Sequence, residues 1–232
     1  MLVYLFRHGE TDWNKARRLQ GQSDIPLNEF GRELAVKTAD ALKNVKFDRV
    51  FSSPLWRALE TAQIISGKTA VTGADVCVDS GCMAGDIAEQ EAECVIITDD
   101  RLREINFGDC EGGQFDEMKA DESHPLHNFF CKPASYIPPA GAESFESVVE
   151  RGKAFLREEI LPLEGKCENV LIVAHGAFNR SVLNTIAGIP LENFWQIGLP
   201  NCAASILSLE NGELKIVEES TVYYGEPVNG RP

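Results

Sequence analysis

The chain has 232 residues, 44% of them hydrophobic, enough to bury a full core and to fill one large domain spanning residues 1–232. A formal net charge of −14 argues against nucleic acid or an anionic membrane as partner, because both demand basic patches, so any anionic ligand must be met by local positive charge. The seven cysteines form no Cys-x-x-Cys and the one apolar stretch near the N-terminus is too short for a signal peptide or a bilayer span, so a soluble, cytoplasmic, disulfide-free protein is expected.

In chain order, the first predicted strand is residues 3–6 (VYLF), followed at once by Arg7-His8-Gly9-Glu10. Residues 29–45 carry Leu34, Ala35, Thr38, Ala41, Leu42 and Val45 at helical spacing. A strand over residues 49–51 then leads to Ser53-Pro54, which reads as an N-cap with proline at the first helical position and places Arg57 in the first turn of its helix. Residues 67–100 are acidic. Residues 112–142 are rich in proline and aromatic residues, among them Phe115, Phe129, Phe130 and Tyr136, which can serve equally as a pocket wall or as a small local core. His124 and His127 in that stretch have no further ligand-type neighbours and read as surface residues.

Residues 144–163 repeat a helical pattern, and the apolar run 170–174 (VLIVA) delivers a second His-Gly, His175-Gly176. The helix after His175 is predicted to stop at Gly188-Ile189-Pro190, and Asn211-Gly212 marks a two-residue hairpin at an antiparallel sheet edge. The polar, turn-rich tail after Tyr224 reads as loose. Strands alternating with helices imply a layered α/β fold, in which ligands bind beyond the carboxyl ends of the strands. Two of the four histidines stand at such exits.

The residue types at these exits fit phosphoryl transfer. A phosphoryl group in transfer spreads negative charge over its peripheral oxygens, and an arginine fork can hold two of them at once, as Arg7 and Arg57 would. A neutral histidine such as His8 can attack phosphorus, splitting a slow displacement into two faster steps, while His175 donates to the same oxygens. The departing alkoxide needs a proton, and Glu104 is the candidate acid if burial or negative neighbours keep it protonated.

These motifs resemble the histidine phosphatase superfamily, also called phosphoglycerate mutase-like. Arg7-His8-Gly9-Glu10-Thr11 with Asn14 and Gln20-Gly21 is similar to its first motif, and Ser52-Ser53-Pro54-Leu55-x-Arg57-Ala58-x-x-Thr61-Ala62 to its second. Glu104 with Phe107-Gly108 and Glu111-Gly112 resembles the proton-donor motif, Gly141-Ala142-Glu143-Ser144 a Gly-Glu-Ser turn with one extra residue, and Ala174-His175-Gly176 the last motif. The resemblance implies a three-layer α/β/α sandwich with a mainly parallel sheet and an antiparallel edge. It implies His8 as phosphorylated nucleophile, Glu104 as proton donor, Arg7, Arg57 and His175 as the phosphate pocket, and Asn14, Gln20 and Gly21 as further substrate contacts, with no metal and no organic cofactor.

Ile105 and Phe107 stand where mutases of the family carry arginine and tyrosine, and Gln20 where they favour a small residue, so the resemblance is better to the phosphatases. The expected activity is a metal-independent phosphomonoesterase acting on a small phosphorylated metabolite. The alternatives are a cofactor-dependent phosphoglycerate mutase and a non-catalytic module that binds phosphorylated ligands. Cys110 replaces a common tryptophan of the family, and about two dozen residues are inserted after the Arg57 helix. The acidic part of that insertion, residues 74–93, is expected outside the catalytic machinery, affecting substrate access or the contact of a homodimer, and residues 112–142 are expected to cover the active site.

Overall fold

The computed structural model describes residues 1–70 and 95–225. The expected acidic insertion at 74–93 and all but the first residue of the tail after Tyr224 lie outside the described residues. Among the described residues, seven strands form one sheet in the order β3-β4-β2-β5-β1-β6-β7. They are β1 (Leu2–Arg7), β2 (Arg49–Ser52), β3 (Thr69–Ala70), β4 (Val95–Thr98), β5 (Asn169–Ala174), β6 (Ala204–Glu210) and β7 (Glu213–Thr221). β3, β4, β2, β5 and β1 run parallel, while β6 and β7 add the antiparallel edge. The hairpin between them turns at Asn211 and Gly212, with φ of 53° and 76°, the pair of positive values that a type I′ turn requires.

Side chains alternate across β5 and split the core into two layers. Val170, Ile172 and Ala174 face a cluster with Val148, Phe155, Phe178 and Val182. Leu171 and Val173 face another with Ala58, Leu59, Ala62 and Ile65. The helices behind these residues are α6 (Phe145–Phe155) and α7 (Gly176–Ala187) on one side and α3 (Trp56–Ser66) on the other, joined there by α2 (Glu29–Ala41). Short helices α1 (Asp12–Lys15), α4 (Phe115–Ala120) and α5 (His127–Cys131) occupy the loops above the carboxyl ends of the strands. The architecture is the α/β/α sandwich expected from the sequence.

The strands expected over 3–6, 49–51 and 170–174 match to within a residue at each end, and three helix boundaries differ from the expected ones. α2 ends at Ala41 rather than Val45, because the chain turns so that Phe47 can bury against Tyr4, their rings edge-on at 5.3 Å. The helix expected over 144–163 is α-helical only to Phe155 and then widens into a π turn over Leu156–Ile160. Pro162, which has no N–H to continue the ladder, lies in the 3-10 turn that follows. Thirdly, Ser53 does not cap α3. The N-cap is Leu55, and the orphan Trp56 N–H is instead satisfied by Asp24 Oδ1 at 2.7 Å.

Candidate active site

β1 and β5 are parallel neighbours in register from Leu2 with Asn169 to Arg7 with Ala174, so both strands end together and release His8 and His175 side by side. The two imidazole centroids are 5.2 Å apart. β2 pairs with the other edge of β5 and leads through Ser53 into α3, which brings Arg57 to the same place. The crevice beyond the carboxyl ends of a parallel sheet is thus furnished from three adjacent strands.

His8 is 3% exposed, and its Nδ1 lies 2.6 Å from the Gly9 carbonyl oxygen. A carbonyl can only accept, so Nδ1 carries the proton and Nε2 of the neutral ring keeps its lone pair. Burial first, then the charges of Arg57 and Arg7, hold the His8 pKa well below the ordinary histidine value. Burial and Arg57 depress His175 in the same way. The Gly9 carbonyl is itself fixed by Asn201 Nδ2 at 3.1 Å, a group that also donates to the His8 carbonyl at 3.0 Å. His175 Nε2 lies 2.7 Å from Ser53 Oγ, which also accepts from the Leu55 N–H at 3.3 Å. His175 Nδ1 is buried and, among the described residues, has no hydrogen-bond partner.

Arg57 is wholly buried and donates to the carbonyls of Gly21 at 2.7 Å and Ser23 at 2.8 Å. Its pKa falls to about 10, because burial outweighs the opposing pull of Glu104. Arg7 donates to the Leu199 carbonyl and is likewise depressed by burial. Among the described residues, the Nε atoms of both arginines are buried without a partner. Such groups are costly unless something anionic meets them.

Glu104 closes the ring of groups. Its Oε2 accepts from Ala177 N at 3.1 Å and its Oε1 from Phe178 N at 3.0 Å, so the carboxylate sits over the first turn of α7. Oε1 also accepts from its neighbour Ile105 N at 3.0 Å. Of the two alternatives the sequence leaves open for this acid, burial or negative neighbours, the structure does not supply the second: the nearby charges are the cations Arg7, Arg57 and Arg180. The strand-exit geometry explains this, since one carboxylate stands among side chains gathered for an anion. Two clamps hold its loop. Glu143 pairs with Arg151 at 2.8 Å, while Arg151 Nη1 donates to the carbonyls of Arg101 and Arg103, each at 2.6 Å. Glu111 accepts from the N–H groups of Gln22, Ser23 and Phe107, tying the Glu104 loop to the turn whose carbonyls hold Arg57.

Arg7, His8, Arg57 and Glu104 line a cavity of 420 Å³, together with Asn14, Gln20 and Gly21. His175 stands just behind His8 rather than on that wall. Asn14 Oδ1 closes a capping box on Thr11, and Gln20 Oε1 accepts from the Thr11 hydroxyl at 3.0 Å. Gly21, with φ of +54°, is a positioning residue as much as a contact: a Cβ there would come within 2.0 Å of Glu111 Oε1, and its carbonyl orients Arg57. The aromatic residues of 112–142 serve both roles left open by the sequence. Phe129 is 1% exposed and packs against Phe107, Phe130, Tyr136, Phe145 and Trp195, while Phe115, Phe129 and Phe130 also face the cavity.

Among the cavity residues not anticipated from the sequence are Lys15, Arg17, Arg18, Arg180, Trp195, Asn201 and Tyr224. Arg180 carries a readable signal, since it is the one charged residue in the buried stretch Gly176–Asn184 of α7, one turn beyond Gly176. Trp195 and Asn201 lie in loops without periodicity.

A profile of the histidine phosphatase superfamily (branch 1) matches residues 3–79 and 83–221. The chain belongs to that superfamily, whose members are phosphatases or mutases. It is 31% identical over 210 residues to the "Probable phosphoglycerate mutase GpmB" of Proteus mirabilis (strain HI4320), covering 90% of this chain and 85% of that one. Among solved structures it is similar to Bacillus stearothermophilus YhfR, with a TM-score of 0.78, 31% identity and coverage of 95% of this chain and 97% of that one. It is also similar to the mycobacterial glucosyl-3-phosphoglycerate phosphatase Rv2419c, solved as a complex with VO3, with a TM-score of 0.71, 25% identity and coverage of 95% and 98%.

Proposed function

We propose that this protein is a metal-independent phosphomonoesterase that hydrolyses a small phosphorylated metabolite through a phosphohistidine on His8. The observation that carries this reading is the state of His8: a buried, neutral imidazole whose Nδ1 proton is committed to Gly9, leaving Nε2 nucleophilic between two arginines that have unpaired buried donors. In the first step Nε2 attacks phosphorus, the P–O bond to the alcohol breaks, and Glu104, which takes up a proton when the phosphoryl anion binds beside it, gives that proton to the departing alkoxide. In the second step water attacks the phosphohistidine, Glu104 takes up the water's proton, and inorganic phosphate leaves with His8 restored. Arg7, Arg57 and His175 stabilise the charge on the peripheral oxygens throughout.

Mutase chemistry would use the same first step and return the phosphoryl group to a second hydroxyl, as the name of the Proteus relative implies for that protein. The wall beside Glu104 favours water as acceptor here: Phe107 offers no hydrogen bond and the Ile105 side chain is buried in the core. Brief incubation with labelled phosphomonoester should trap an acid-labile, alkali-stable phosphoprotein that His8→Ala lacks, and phosphate release should persist in EDTA. Label on serine or aspartate would refute the mechanism. Interconversion of 2- and 3-phosphoglycerate with little release of phosphate would replace the hydrolase with the mutase.

A further inference from the structure

Glu104 stands on a segment with little regular structure of its own. The 3-10 turn Asp100–Leu102 ends just before it, and Leu102 and Ile105 are buried while Glu104 reaches the cavity. Its carboxylate serves α7, whose N-cap residue His175 makes no side-chain cap, so the N–H groups of Ala177 and Phe178 find their acceptors in Glu104. A carboxylate over a helix N-terminus is favourable, yet a long side chain keeps such a seat only if its backbone is fixed.

Arg151, on α6, supplies that fixing. Its Nη1 donates to the carbonyls of Arg101 and Arg103, each at 2.6 Å, and Arg103 is the residue immediately before Glu104. The remaining donors fork onto Glu143, Nε to Oε1 at 2.8 Å and Nη2 to Oε2 at 3.0 Å. Glu143 in turn accepts from Asn106 N at 3.3 Å and gives its own N–H to the Asn106 carbonyl at 2.8 Å, so the pair grips the chain on both sides of Glu104. The Arg151 head also lies 5.2 Å from the centre of the Phe178 ring, against the turn that donates to Glu104. Gln22 adds a bond from Nε2 to the Glu104 carbonyl at 3.1 Å, on the backbone rather than the carboxylate. With side chains only 16% and 13% exposed, Arg151 and Glu143 form a bidentate pair that solvent screens little. Burial alone would raise the Glu143 carboxyl, but the Arg151 hydrogen bonds and charge overcome it and hold the pKa below the ordinary carboxylate value.

We propose that Arg151, braced by Glu143, is a positioning residue that sets the Glu104 carboxylate against the first turn of α7 and so governs proton delivery to the leaving oxygen. It acts through another residue: Glu104 lines the cavity, whereas neither Arg151 nor Glu143 does. This inference rests on reading Glu104 as the proton donor, and deepens it by naming what keeps the donor in place. A guanidinium suits the task, since a lysine ammonium cannot span two carbonyls and a bidentate carboxylate at once.

The first measurement is amide hydrogen exchange by NMR in the ligand-free protein, because the Ala177 and Phe178 N–H groups have Glu104 as their acceptor and report its seat directly. Arg151→Met should speed exchange at these two amides roughly tenfold relative to Val182 and Leu183 further along α7, and Arg151→Lys should lie between. The second is the ratio of kcat/KM for 4-nitrophenyl and 2-phenylethyl phosphate, which are close in size but differ in how much the departing oxygen needs a proton. Arg151→Met should lower the alkyl ester roughly tenfold more than the aryl ester, with Arg151→Lys recovering part, whereas a merely structural loss lowers both alike. Should Arg151→Met fail to fold, Glu143→Gln takes its place and should move both readouts the same way by roughly a few fold. Unchanged exchange at the two amides, or uniformly faster exchange along α7, would overturn the positioning role. So would equal losses for both esters in the Arg151 variants while Glu104→Gln separates them. Equal losses in Glu104→Gln as well would count against Glu104 as proton donor, and the exchange data alone would then decide whether Arg151 seats the carboxylate.

Discussion

The phosphoryl end and the aromatic end of the cavity are built in opposite ways. At the phosphoryl end, each group is set by a short polar link from a strand exit: His8 by Gly9 and Asn201, His175 by Ser53, and Arg57 by the carbonyls of Gly21 and Ser23. At the aromatic end, Phe129 is held by ring contacts with residues from three separate segments and by one hydrogen bond, from Trp195 Nε1 to its carbonyl at 2.8 Å. Hydrogen bonds fix direction, whereas apolar packing fixes volume and tolerates rearrangement. On the proposed mechanism the chemistry would rest on the directional half, and selectivity among alcohols would fall to the adaptable half.

The comparison breaks most severely at Arg57. Replacing it with Met keeps much of the buried volume but removes a fixed charge facing the transferring group. The loss in kcat/KM should be about 3 kcal/mol, a hundredfold or more, and similar for aryl and alkyl phosphates because every substrate shares the phosphoryl group. Steady-state kinetics on both classes, with circular dichroism to confirm folding, would check it. Near-normal turnover would remove Arg57 from the site.

At the other end, Phe129→Leu should act mainly on stability and on preference. Trimming a buried ring in a packed aromatic cluster should cost about 1–2 kcal/mol in denaturant unfolding. The ratio of kcat/KM between bulky and small phosphomonoesters should shift by a few fold, while 4-nitrophenyl phosphate remains a substrate. A uniform loss of the kind expected for Arg57→Met would show that the aromatic cluster also positions the catalytic groups, and the division between the two ends would fail.

The same contrast explains what could be read from the sequence. Arg7-His8-Gly9 and His175-Gly176 follow apolar runs immediately, so strand exit and chemical residue are adjacent in the chain. The predicted strands and the mainly parallel sheet matched because such runs are buried on both faces and carry a strong signal. Ser53 was misread for a physical reason: a serine before proline is a good cap in isolation, but here its hydroxyl is taken by His175, a partner 122 residues away. Trp195 meets Phe129 across 66 residues and Asn201 meets Gly9 across 192, so no local pattern announces either. Arg180 was legible in retrospect as a lone charge in a buried helix.

The smallest expected effect concerns pH, and it tests whether the phosphoryl end is built around neutral imidazoles. His8 and His175 have folded-state pKa values well below the ordinary one, chiefly through burial and then through Arg57. An unfolded chain would titrate both near about 6.5. Below that pH and above their folded values, the unfolded state binds more protons than the folded one, so stability rises with pH in this window and is lost as pH falls through it. Thermal midpoints of the ligand-free protein should therefore decline between roughly pH 6.5 and 5, a range where surface carboxylates are still largely ionised. Carboxylates add to the decline at the acidic end, so the double variant His8→Asn, His175→Asn is the control. It should show a shallower dependence in the upper part of the window. An unchanged slope would mean that the two imidazoles protonate without penalty in the folded state, and the neutral nucleophile inferred from their burial would be lost with it.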